Sequence, residues 1–511
     1  MIWVLDSEGM RAADRRTIVD LGMPSLVLME AAAAAVTDVV AERFATAGRV
    51  VVACGPGNNG GDGLAVARQL ACRGFSALVA LLVEPRALAG DAAKQLELAR
   101  SFGIPVAACW PGGDGGLGEA LADADVVVDA LFGTGLDRPV TGFWAEMIRI
   151  LNNVGVPVVA VDIPSGLSGS SSAVAGEAVE AALTVTFAAA KIAHVLPPAC
   201  WRCGEVAVAD IGIPPWVVRE EAALGLLEAA DLAAWLPQRA VDAHKGPFGH
   251  LHGVAGRVGR AGAAALAAQA GVTAGAGLVT VATPAGAVAP IQAIVPEAMV
   301  DPLPQDEDGA ARGDGLAPLL AKATALAVGP GLGLGAGPAR ILEQVLSEWR
   351  GPLLLDADAL TLLAGRLGAL ASREGGTVLT PHPGELGRLL GWPTERVVGD
   401  RLAAARAAAA ASGAVVLAKG ARTIIAGPEG TVMVNPTGTS GLASGGAGDV
   451  LTGVIGALLA QGLAPAEAAA CGAYLHGRAA ELAAGTHPGA VPARVIVSHL
   501  PAAEKEVREE G

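Results

Sequence analysis

The chain has 511 residues, 52% of them hydrophobic and 17% charged, a composition that excludes a disordered protein and allows large apolar cores. At about 150 residues per domain, this length indicates more than one domain. Lys and Arg number 35 against 50 Asp and Glu, a formal net charge of −15. Because nucleic acids and anionic membranes require a cationic surface, we expect neither as a partner and expect small-molecule ligands instead.

Short β-branched runs alternate with Ala-rich helical stretches along the chain, which is typical of parallel sheets covered by helices. In the first half, buried strands are predicted at 49–54, 77–83, 124–130, 156–163 and 183–188. In the second half, they are predicted at 277–283, 325–331, 351–357, 377–380 and 414–420, the last continuing into a hairpin. The segment 211–239 between these sets contains an acidic, Ala-rich stretch and places a boundary near residue 222. We therefore predict two α/β domains, 1–221 and 222–511.

Three features that could indicate export, a membrane span or redox chemistry have simpler interpretations. Asp6 and Glu8 lie where a secretory signal would be basic and then apolar. The uncharged run 261–296 is rich in Ala, Gly and Thr and is interrupted by prolines, which favours soluble helix, strand and loop. Cys200 and Cys203 form a C-x-x-C without a second pair, so neither a disulfide framework nor a redox motif is expected.

The segment 50–70 reads as a strand, a Gly-rich loop and an amphipathic helix. Its glycines satisfy G-x-G-x-x-G, so an ordinary dinucleotide-binding site is one interpretation. However, Asn58, Asn59 and Asp62 also lie at the start of the helix, where Asp62 would repel a diphosphate. Amide and carboxylate oxygens better suit hydroxyl groups or a hard cation.

Two further predicted strands end in acids, Asp129 and Asp162. Since ligands bind beyond the carboxyl ends of parallel strands, the loops that follow should converge on one crevice. Asn59, Asp129 and Ser165 could together supply oxygen ligands to a monovalent or divalent cation. Alternatively, each aspartate caps the helix that follows it.

The most informative segment of the second half is GGAGD, residues 445–449. Its glycines lead into Asp449 and an apolar helical run, so that backbone N–H groups would face an anion beside a carboxylate. In phosphoryl transfer to a hydroxyl, such N–H groups stabilise the transferred group and the carboxylate positions or deprotonates the nucleophile. Lys419 follows a buried strand and can reach phosphates.

The histidines receive different interpretations. His382 lies in HPGEL between a predicted strand end and a helix, which favours a functional role over a structural one. His250 and His252 alternate on a predicted strand without a third ligand nearby, so we predict no zinc site there.

Three motifs of the first half, GPGNNGGDG (55–63), DALFGTGLDRPVTG (129–142) and DIPSGL (162–167), resemble the NAD(P)H-hydrate epimerase family over about residues 1–215. The resemblance implies a Rossmann-like three-layer α/β/α domain that interconverts the R and S epimers of hydrated NAD(P)H at nicotinamide C6. The implied potassium ligands are Asn59, Asp129 and Ser165. The implied substrate contacts are Asn58, Asn59, Gly60, Gly61, Asp62, Gly133, Thr134, Gly135, Leu136, Asp137, Arg138, Pro139, Trp144 and Asp162.

Epimerisation breaks and remakes a bond at a carbon that carries both a hydroxyl and the ring nitrogen, so a positioned carboxylate can act as general acid and base. We expect Asp162 to have this role. The sequence departs from the family at Trp144, where tyrosine is usual. The aromatic face is kept there and the hydroxyl is lost, which leaves any hydrogen bond at this position open.

GGAGD near the C-terminus resembles the ribokinase-like superfamily. GPGLG (329–333), DADAL (356–360), HPGEL (382–386), LAKG (417–420) and NPTG (435–438) narrow the resemblance to the ADP-dependent NAD(P)H-hydrate dehydratases, over about residues 240–500. This implies a ribokinase-like α/β domain that dehydrates the S epimer with ADP and Mg²⁺. The implied hydrate contacts are Ala263, Gly331, His382 and Asp449. The implied adenine-nucleotide contacts are Lys419, Gly420, Ala421, Arg422, Thr423 and Gly448.

A second departure is Ala255-Gly256-Arg257, where Gly-Gly-Ser is usual, so the contacts of that loop stay open. In the implied reaction, Asp449 takes the C6 hydroxyl proton while ADP delivers its terminal phosphoryl group, and phosphate then leaves. ADP rather than ATP follows from the resemblance alone.

The two halves together imply a bifunctional repair enzyme whose ligands are NADHX or NADPHX, ADP and potassium. Three alternatives stay open: a small-alcohol kinase of the ribokinase superfamily, a Rossmann oxidoreductase that transfers hydride, and a non-enzymatic binding module. We also expect a homo-oligomer in the cytoplasm.

Overall fold

The computed structural model describes residues 1–136, 138–486 and 489–510. The chain divides into two compact units, Trp3–Leu224 and Gly225–Gly511 with Met1–Ile2. We call them the N-terminal unit and the C-terminal unit.

The strands of the N-terminal unit form one parallel sheet and one short parallel pair. They are β1 (Ile2–Leu5), β2 (Arg49–Cys54), β3 (Ser76–Leu81), β4 (Val106–Ala108), β5 (Val126–Ala130), β6 (Val158–Val161), β7 (Leu183–Phe187), β8 (Ala190–Lys191) and β9 (Glu205–Ala209). The 7-stranded sheet has the order β4-β3-β2-β5-β6-β7-β9, and all its neighbours are parallel. The separate pair is β1 with β8.

The helices of this unit cover both faces of the sheet. They are α1 (Ser7–Arg15), α2 (Ser25–Arg43), α3 (Asn58–Cys72), α4 (Gly90–Ser101), α5 (Leu117–Leu121), α6 (Gly142–Asn152), α7 (Ile192–Val195) and α8 (Pro215–Glu220). Because successive strand residues point to opposite faces, Val50 and Val52 pack in one core with α2 and α3, and Val51 packs in another with α5 and α6. This is the predicted three-layer α/β/α arrangement.

The strands of the C-terminal unit form a mostly parallel sheet. They are β10 (Leu224–Leu226), β11 (His250–Val254), β12 (Leu278–Pro284), β13 (Met299–Leu303), β14 (Ala325–Val328), β15 (Leu353–Leu355), β16 (Thr377–Leu379), β17 (Val415–Ala418), β18 (Ile424–Ala426) and β19 (Val432–Val434). Their order is β13-β12-β11-β14-β15-β16-β17-β18-β19-β10. Only β18 is antiparallel to its neighbours among these described strands, since it forms the predicted hairpin with β19.

The helices of the C-terminal unit include the long, buried ones that pack on this sheet. They are α9 (Ala229–Trp235), α10 (Ala261–Thr273), α11 (Val288–Ile294), α12 (Ala317–Leu320), α13 (Ala336–Glu348), α14 (Asp358–Leu363), α15 (Pro383–Leu390), α16 (Thr394–Gly399), α17 (Arg401–Ser412), α18 (Ala447–Ala460), α19 (Pro465–Ala484) and α20 (Ala493–Glu510). Side chains of α10, α18, α19 and α20 form one core with the strands, for example Val454 with Leu251 and Ala327.

The α/β class predicted from the alternating pattern is confirmed, and each predicted strand overlaps an observed one. The observed strands β1, β4, β8, β9, β10 and β13 were not predicted. Of these, β4 and β8 have only three and two residues, too few to show a periodic pattern. The uncharged run 261–296 contains α10, β12 and α11. Over the described residues, no helix is both long and apolar enough to cross a bilayer.

Candidate active sites

A cavity of about 540 Å³ lies at the carboxyl ends of β2, β5 and β6 in the N-terminal unit. Residues of α1, α2, the first turn of α3 and the loop after β5 line it together with Asp162. The lining residues that the sequence predicted are Asn58, Asn59, Asp62, Gly133, Thr134, Gly135, Leu136, Arg138 and Asp162. Gly60, Gly61, Pro139 and Trp144 are not among the lining residues, and the predicted Asp137 lies outside the described residues.

Two glycines allow the loops around this cavity to approach each other closely. A Cβ at Gly55 would lie 1.9 Å from the carbonyl oxygen of Leu131, and one at Gly60 would lie 2.1 Å from that of Gly55. Only glycine fits at such contacts. The Gly-rich segment after β2 therefore packs the loop after β5 against the start of α3, rather than leaving an open phosphate loop.

Asp162 follows β6 and is held by Lys191. Its backbone has a left-handed φ of 63°, a conformation that persists in a non-glycine residue only when its surroundings impose it. The Asp162 Oδ1 accepts hydrogen bonds from Lys191 Nζ at 2.7 Å and from Thr186 Oγ1 at 3.0 Å. Burial alone would raise the pKa of Asp162, but the Lys191 charge and these hydrogen bonds hold that pKa below its ordinary value. Asp162 is therefore an ionised carboxylate at neutral pH.

Lys191 is fully buried and uses its ammonium group on protein partners. Besides Asp162, it donates to Thr186 Oγ1 at 2.8 Å and to the carbonyl of Phe187 at 2.9 Å. Sequence reasoning assigned no site role to Lys191. The sequence offered two weak signals: the chain has only six lysines, and Lys191 lies in a family-like segment. Its partner could not be inferred, because 29 residues separate it from Asp162.

Two other carboxyl groups face the same cavity, Asp62 on α3 and Asp14 on α1. Burial raises the pKa of Asp62 well above its ordinary value, and the charges of Asp162 and Asp14 raise it further. Burial also raises the pKa of Asp14 to about 6, with Asp162 adding to this shift and Lys191 opposing it. Asp14 was not predicted, although Met10, Asp14 and Ile18 recur at helical spacing and all three line the cavity.

The residues predicted to bind potassium lie around the loop after β5. Ser165 donates from its hydroxyl to Asp129 Oδ1 at 2.6 Å and from its backbone N–H to Oδ2 at 2.8 Å. Asn59 lies against Gly133, where an added Cβ would be 3.3 Å from Asn59 Oδ1. Carboxylate, hydroxyl and amide oxygens are the donor set of a hard cation, so these residues fit the predicted ion.

Trp144 on α6 has a packing role. Its ring meets those of Phe132 and Phe143 edge to face, with centroids 4.8 and 5.2 Å apart. Trp144 therefore packs against Phe132 in the loop after β5 and does not line the cavity.

In the C-terminal unit, GGAGD forms the start of α18. Gly446 is the N-cap, with a left-handed φ of 91°, and Asp449 lies in the first helical turn. A Cβ at Gly448 would lie 3.4 Å from Lys419 Nζ, so the ammonium group stands against this helix N-terminus. Backbone N–H groups, a positive helix end and a lysine together form a site for an anion.

Lys419 is oriented by Asp356, which follows β15 in DADAL. Asp356 Oδ1 accepts from Lys419 Nζ at 2.6 Å and from Thr380 Oγ1 at 2.8 Å, and Oδ2 accepts from Thr452 Oγ1 at 2.6 Å. Burial would raise the pKa of Asp356, but the Lys419 charge and these hydrogen bonds lower it below its ordinary value. Asp356 had no predicted role, since 63 residues separate it from Lys419.

Asp449 differs from Asp356 in having no hydrogen-bond or ion-pair partner among the described residues. Burial raises the pKa of Asp449 to about 6, and the charge of Asp356 raises it further while Lys419 lowers it. A carboxylate with this pKa can accept a proton from a ligand near neutral pH.

His382 is the N-cap of α15. Its Nδ1 accepts hydrogen bonds from the backbone N–H groups of Gly384 at 3.0 Å and Glu385 at 3.4 Å. Burial and the nearby charges of Lys419 and Arg388 lower the pKa of His382, so the ring is neutral at pH 7. With Nδ1 accepting, the proton is on Nε2, which lies 3.5 Å from Glu385 Oε1 in a side chain that is 53% exposed.

Other predicted contacts of this unit also meet. A Cβ at Gly331, whose φ is 62°, would lie 3.2 Å from the Cβ of Ala263, so these two predicted hydrate contacts are neighbours. In the unusual Ala255-Gly256-Arg257 segment, Gly256 donates its N–H to the carbonyl of Pro330 at 2.8 Å. The loop therefore still packs on GPGLG.

The predicted nucleotide segment, 419–423, follows β17 and is supported by Arg401. Arg401 donates to the carbonyls of Lys419 and Ala421, and Gly420 leaves room for its guanidinium, which a Cβ would approach to 2.3 Å. Arg422 has a left-handed φ of 55°. The backbone of this segment is thus shaped by tertiary contacts.

Comparisons with known proteins bear on both units. A family described as YjeF-related protein N-terminus matches residues 25–193, and one described as NAD(P)H-hydrate dehydratase matches residues 251–502. A solved ADP/ATP-dependent NAD(P)H-hydrate dehydratase from Bacillus subtilis, co-crystallised with ATP and Mg²⁺, is 33% identical with a TM-score of 0.50. It covers 56% of this chain and 99% of its own. The C-terminal unit therefore has the ribokinase-like fold that was predicted.

Curated relatives match nearly the whole chain. The bifunctional NAD(P)H-hydrate repair enzyme Nnr of Moorella thermoacetica is 40% identical over 498 residues, 94% of this chain and 93% of its own. The Escherichia coli enzyme of the same name is 35% identical over 486 residues, 94% of this chain and 90% of its own. These matches confirm the predicted resemblance. The chain belongs to the family of bifunctional NAD(P)H-hydrate repair enzymes.

Proposed function

We propose that this chain repairs hydrated NAD(P)H by epimerisation at nicotinamide C6 in the N-terminal unit and ADP-dependent dehydration of the S epimer in the C-terminal unit. The observation that carries this proposal is the free carboxylate of Asp449 beside the Lys419 ammonium group at the start of α18. It supports the proposal because phosphoryl transfer to a hydroxyl requires a base next to groups that can bind phosphate.

In the dehydration, Asp449 accepts the proton of the C6 hydroxyl while that oxygen attacks the terminal phosphorus of ADP. AMP leaves, and Lys419 and the N–H groups of α18 stabilise the charge on the transferred group. The ring nitrogen then pushes out the phosphate from C6 as a proton leaves C5, which forms NAD(P)H. Ala263, Gly331 and His382 are the proposed hydrate contacts, and residues 419–423 and Gly448 the proposed nucleotide contacts.

Mg²⁺ accompanies ATP in the Bacillus subtilis dehydratase crystals. In this chain the backbone N–H groups at the start of α18 and the Lys419 ammonium group suit phosphate oxygens rather than the ion. We therefore propose that phosphates hold most of the Mg²⁺ coordination, as in many nucleotide sites, and that the ion supplies neutralising charge.

In the epimerisation, the ionised Asp162 accepts the proton of the C6 hydroxyl as the ring opens. The proposed substrate contacts are the predicted residues of 58–62 and 133–139, with Trp144 as support. Asn59, Asp129 and Ser165 would hold potassium, which supplies positive charge beside the loop after β5.

The test is to incubate the full chain with chemically hydrated NADH and ADP, with and without potassium. We expect both epimers to return to NADH, one AMP and one phosphate to form per NADH, and the epimer ratio to stay near equilibrium while dehydration proceeds. A stable phosphorylated product in the phosphorus NMR spectrum would instead indicate a small-alcohol kinase. Failure to regenerate NADH absorbance would contradict the proposal.

Two further properties are proposed: a homo-oligomeric state and a place in the cytoplasm. Light scattering on the purified chain tests the first, and fractionation of the source cells tests the second. A monomer at micromolar concentration would overturn the first.

A further inference from the structure

We propose that Asp14 is the second catalytic residue of the epimerisation, the acid that gives the ring nitrogen its proton while Asp162 takes the proton of the C6 hydroxyl. This inference rests on the proposed epimerase function. It adds a residue of α1 to a site otherwise built from the strand-end loops.

Helix α1 forms part of the cavity wall, and its residue Asp14 lines the same cavity as the predicted substrate contacts. Asp14 lines the same cavity as Asp62 and Asp162 and is close enough for their charges to act on one another. The cavity also contains Asn59, whose Nδ2 is buried and has no partner in the described part of the chain. A buried donor without a partner indicates that a polar ligand completes this site.

The carboxyl groups that line the cavity differ in whether protein groups already bind them. Asp162 is bound by Lys191, and Asp91 accepts a 2.5 Å hydrogen bond from Ser25. Within the described ranges, no hydrogen bond or ion pair reaches the carboxyl groups of Asp14 and Asp62. Only these two are therefore available to give a proton to a ligand.

Asp14 is the better proton donor of the two. Asp62 is 9% exposed and its raised pKa keeps the proton on it, whereas Asp14 is partly exposed and has a pKa of about 6. General acids work best when their pKa lies near the working pH. Partial exposure also lets Asp14 exchange its proton with water between turnovers.

The charged groups around Asp14 come from several elements. Arg11 on its own helix, Asp62 on α3, Asp91 on α4, Arg138 from the loop after β5 and Asp162 after β6 line the cavity. Lys191 on β8 is buried behind Asp162 and acts on Asp14 through its charge. On α8, which also packs against α1, Glu220 is bound to Arg16. The charged groups of α8 therefore do not contribute to the pKa shift of Asp14, whereas the Asp162 charge does.

The proton balance of this pair closes over one epimerisation. On ring opening, the C6–N1 electron pair goes to N1, which takes the Asp14 proton, and the O–H pair forms the C6 carbonyl as Asp162 takes the hydroxyl proton. After rotation about C5–C6, N1 attacks the other face of the carbonyl. Its oxygen then regains the proton from Asp162, and Asp14 regains its proton from N1, so the enzyme returns to its starting state.

The test compares Asp14→Asn, Asp14→Glu and the control Asp20→Asn in the full chain. Asp20 is exposed and lies on the same helical stretch. Hydrated NADH without ADP reports epimerisation, and pure S epimer with ADP reports dehydration. We expect Asp14→Asn to lower the epimerisation rate by about 10²-fold or more. Dehydration should stay unchanged, and Asp14→Glu should restore part of the lost rate.

The pH profile separates catalysis from folding. Because the acid must be protonated, wild-type epimerisation should slow as pH rises through the Asp14 pKa, and Asp14→Asn should lose this dependence. Epimerisation by Asp14→Asn within about threefold of wild type, with the same profile, would overturn the inference. If Asp14→Asn does not fold, an unshifted profile in folded Asp14→Glu overturns it equally. No epimerisation by the wild-type chain would instead contradict the proposed function.

Discussion

The two candidate sites share one arrangement of charges and differ in what their lysine can reach. In each, a strand-end aspartate is held by a lysine and by threonine hydroxyls: Asp162 by Lys191, and Asp356 by Lys419. In each, a second aspartate without such partners has a raised pKa: Asp14 in the N-terminal unit and Asp449 in the C-terminal unit. Each site therefore combines an ionised carboxylate with a carboxyl group that can exchange a proton near neutral pH.

The difference lies in exposure. The Lys191 side chain is 0% exposed, whereas that of Lys419 is 21% exposed and stands against the N-terminus of α18. Lys191 can therefore affect a ligand only through Asp162, while Lys419 can contact a phosphate directly. In the proposed functions, the buried lysine would serve the acid–base chemistry of one site and the partly exposed lysine the phosphoryl chemistry of the other.

The largest effects are expected when one carboxylate at a time is replaced with an amide. Asp449→Asn should lower ADP-dependent dehydration by about 10²–10⁴-fold, because it removes the base, and should leave epimerisation unchanged. Asp162→Asn should do the reverse when pure S epimer is supplied for the dehydration assay. Chromatography of both epimers and of AMP checks the two outcomes, and a loss of both activities in either variant would contradict two independent sites.

Replacing each lysine with methionine should separate their roles. Lys191→Met leaves the buried Asp162 unpaired and should lower the free energy of unfolding of the N-terminal unit by about 3–5 kcal/mol. Lys419→Met should lower dehydration by about 10²–10³-fold, because a group that stabilises transferred charge is lost. Denaturant unfolding and ADP-dependent turnover measure these effects. If Lys191→Met had near-normal stability, the predicted structural role of Lys191 in holding Asp162 would be wrong.

A smaller effect concerns pH and the stability of the C-terminal unit. The pKa of Asp449 is about 6 in the folded chain against an ordinary value of 3.8, so the folded state binds the proton more tightly. The stabilisation that the folded state gains from binding this proton is therefore present at low pH and is lost as pH rises through about 6. Asp449→Asn should stabilise the unit by about 1–3 kcal/mol at pH 7 and by much less at pH 4. Thermal unfolding across this range checks it, and an Asp449→Asn variant less stable than wild type at pH 7 would refute the buried, unpaired carboxylate.

The smallest effect is expected at Trp144. Since Trp144 packs on Phe132 and Phe143 without lining the cavity, Trp144→Phe should change epimerisation by less than about threefold, as conservative apolar replacements usually do. Trp144→Tyr should behave like Trp144→Phe. A large gain with tyrosine alone would show that the hydroxyl contributes a hydrogen bond here.

The sequence predicted most of the strand-end residues that line the two sites. Asn59, Asp62 and Asp162 line one cavity, and Lys419 meets the start of α18 as expected. These residues lie together because parallel strands bring their following loops to one edge of the sheet.

Other site residues could not be predicted, because their roles depend on partners that are distant in the sequence. Asp14 acquires its pKa from burial among groups of other elements, and Asp356 orients a lysine 63 residues away. No local pattern distinguishes such residues from ordinary helix or loop positions.

By itself, the sequence determined the α/β class, the family and the loops that carry the chemistry, because hydrophobic periodicity and glycine-rich turns are local properties of the chain. Only the tertiary structure decided which aspartate is ionised and which can carry a proton. That choice depends on burial and on the distance to Lys191 or Lys419, and both arise only when the strands and helices pack.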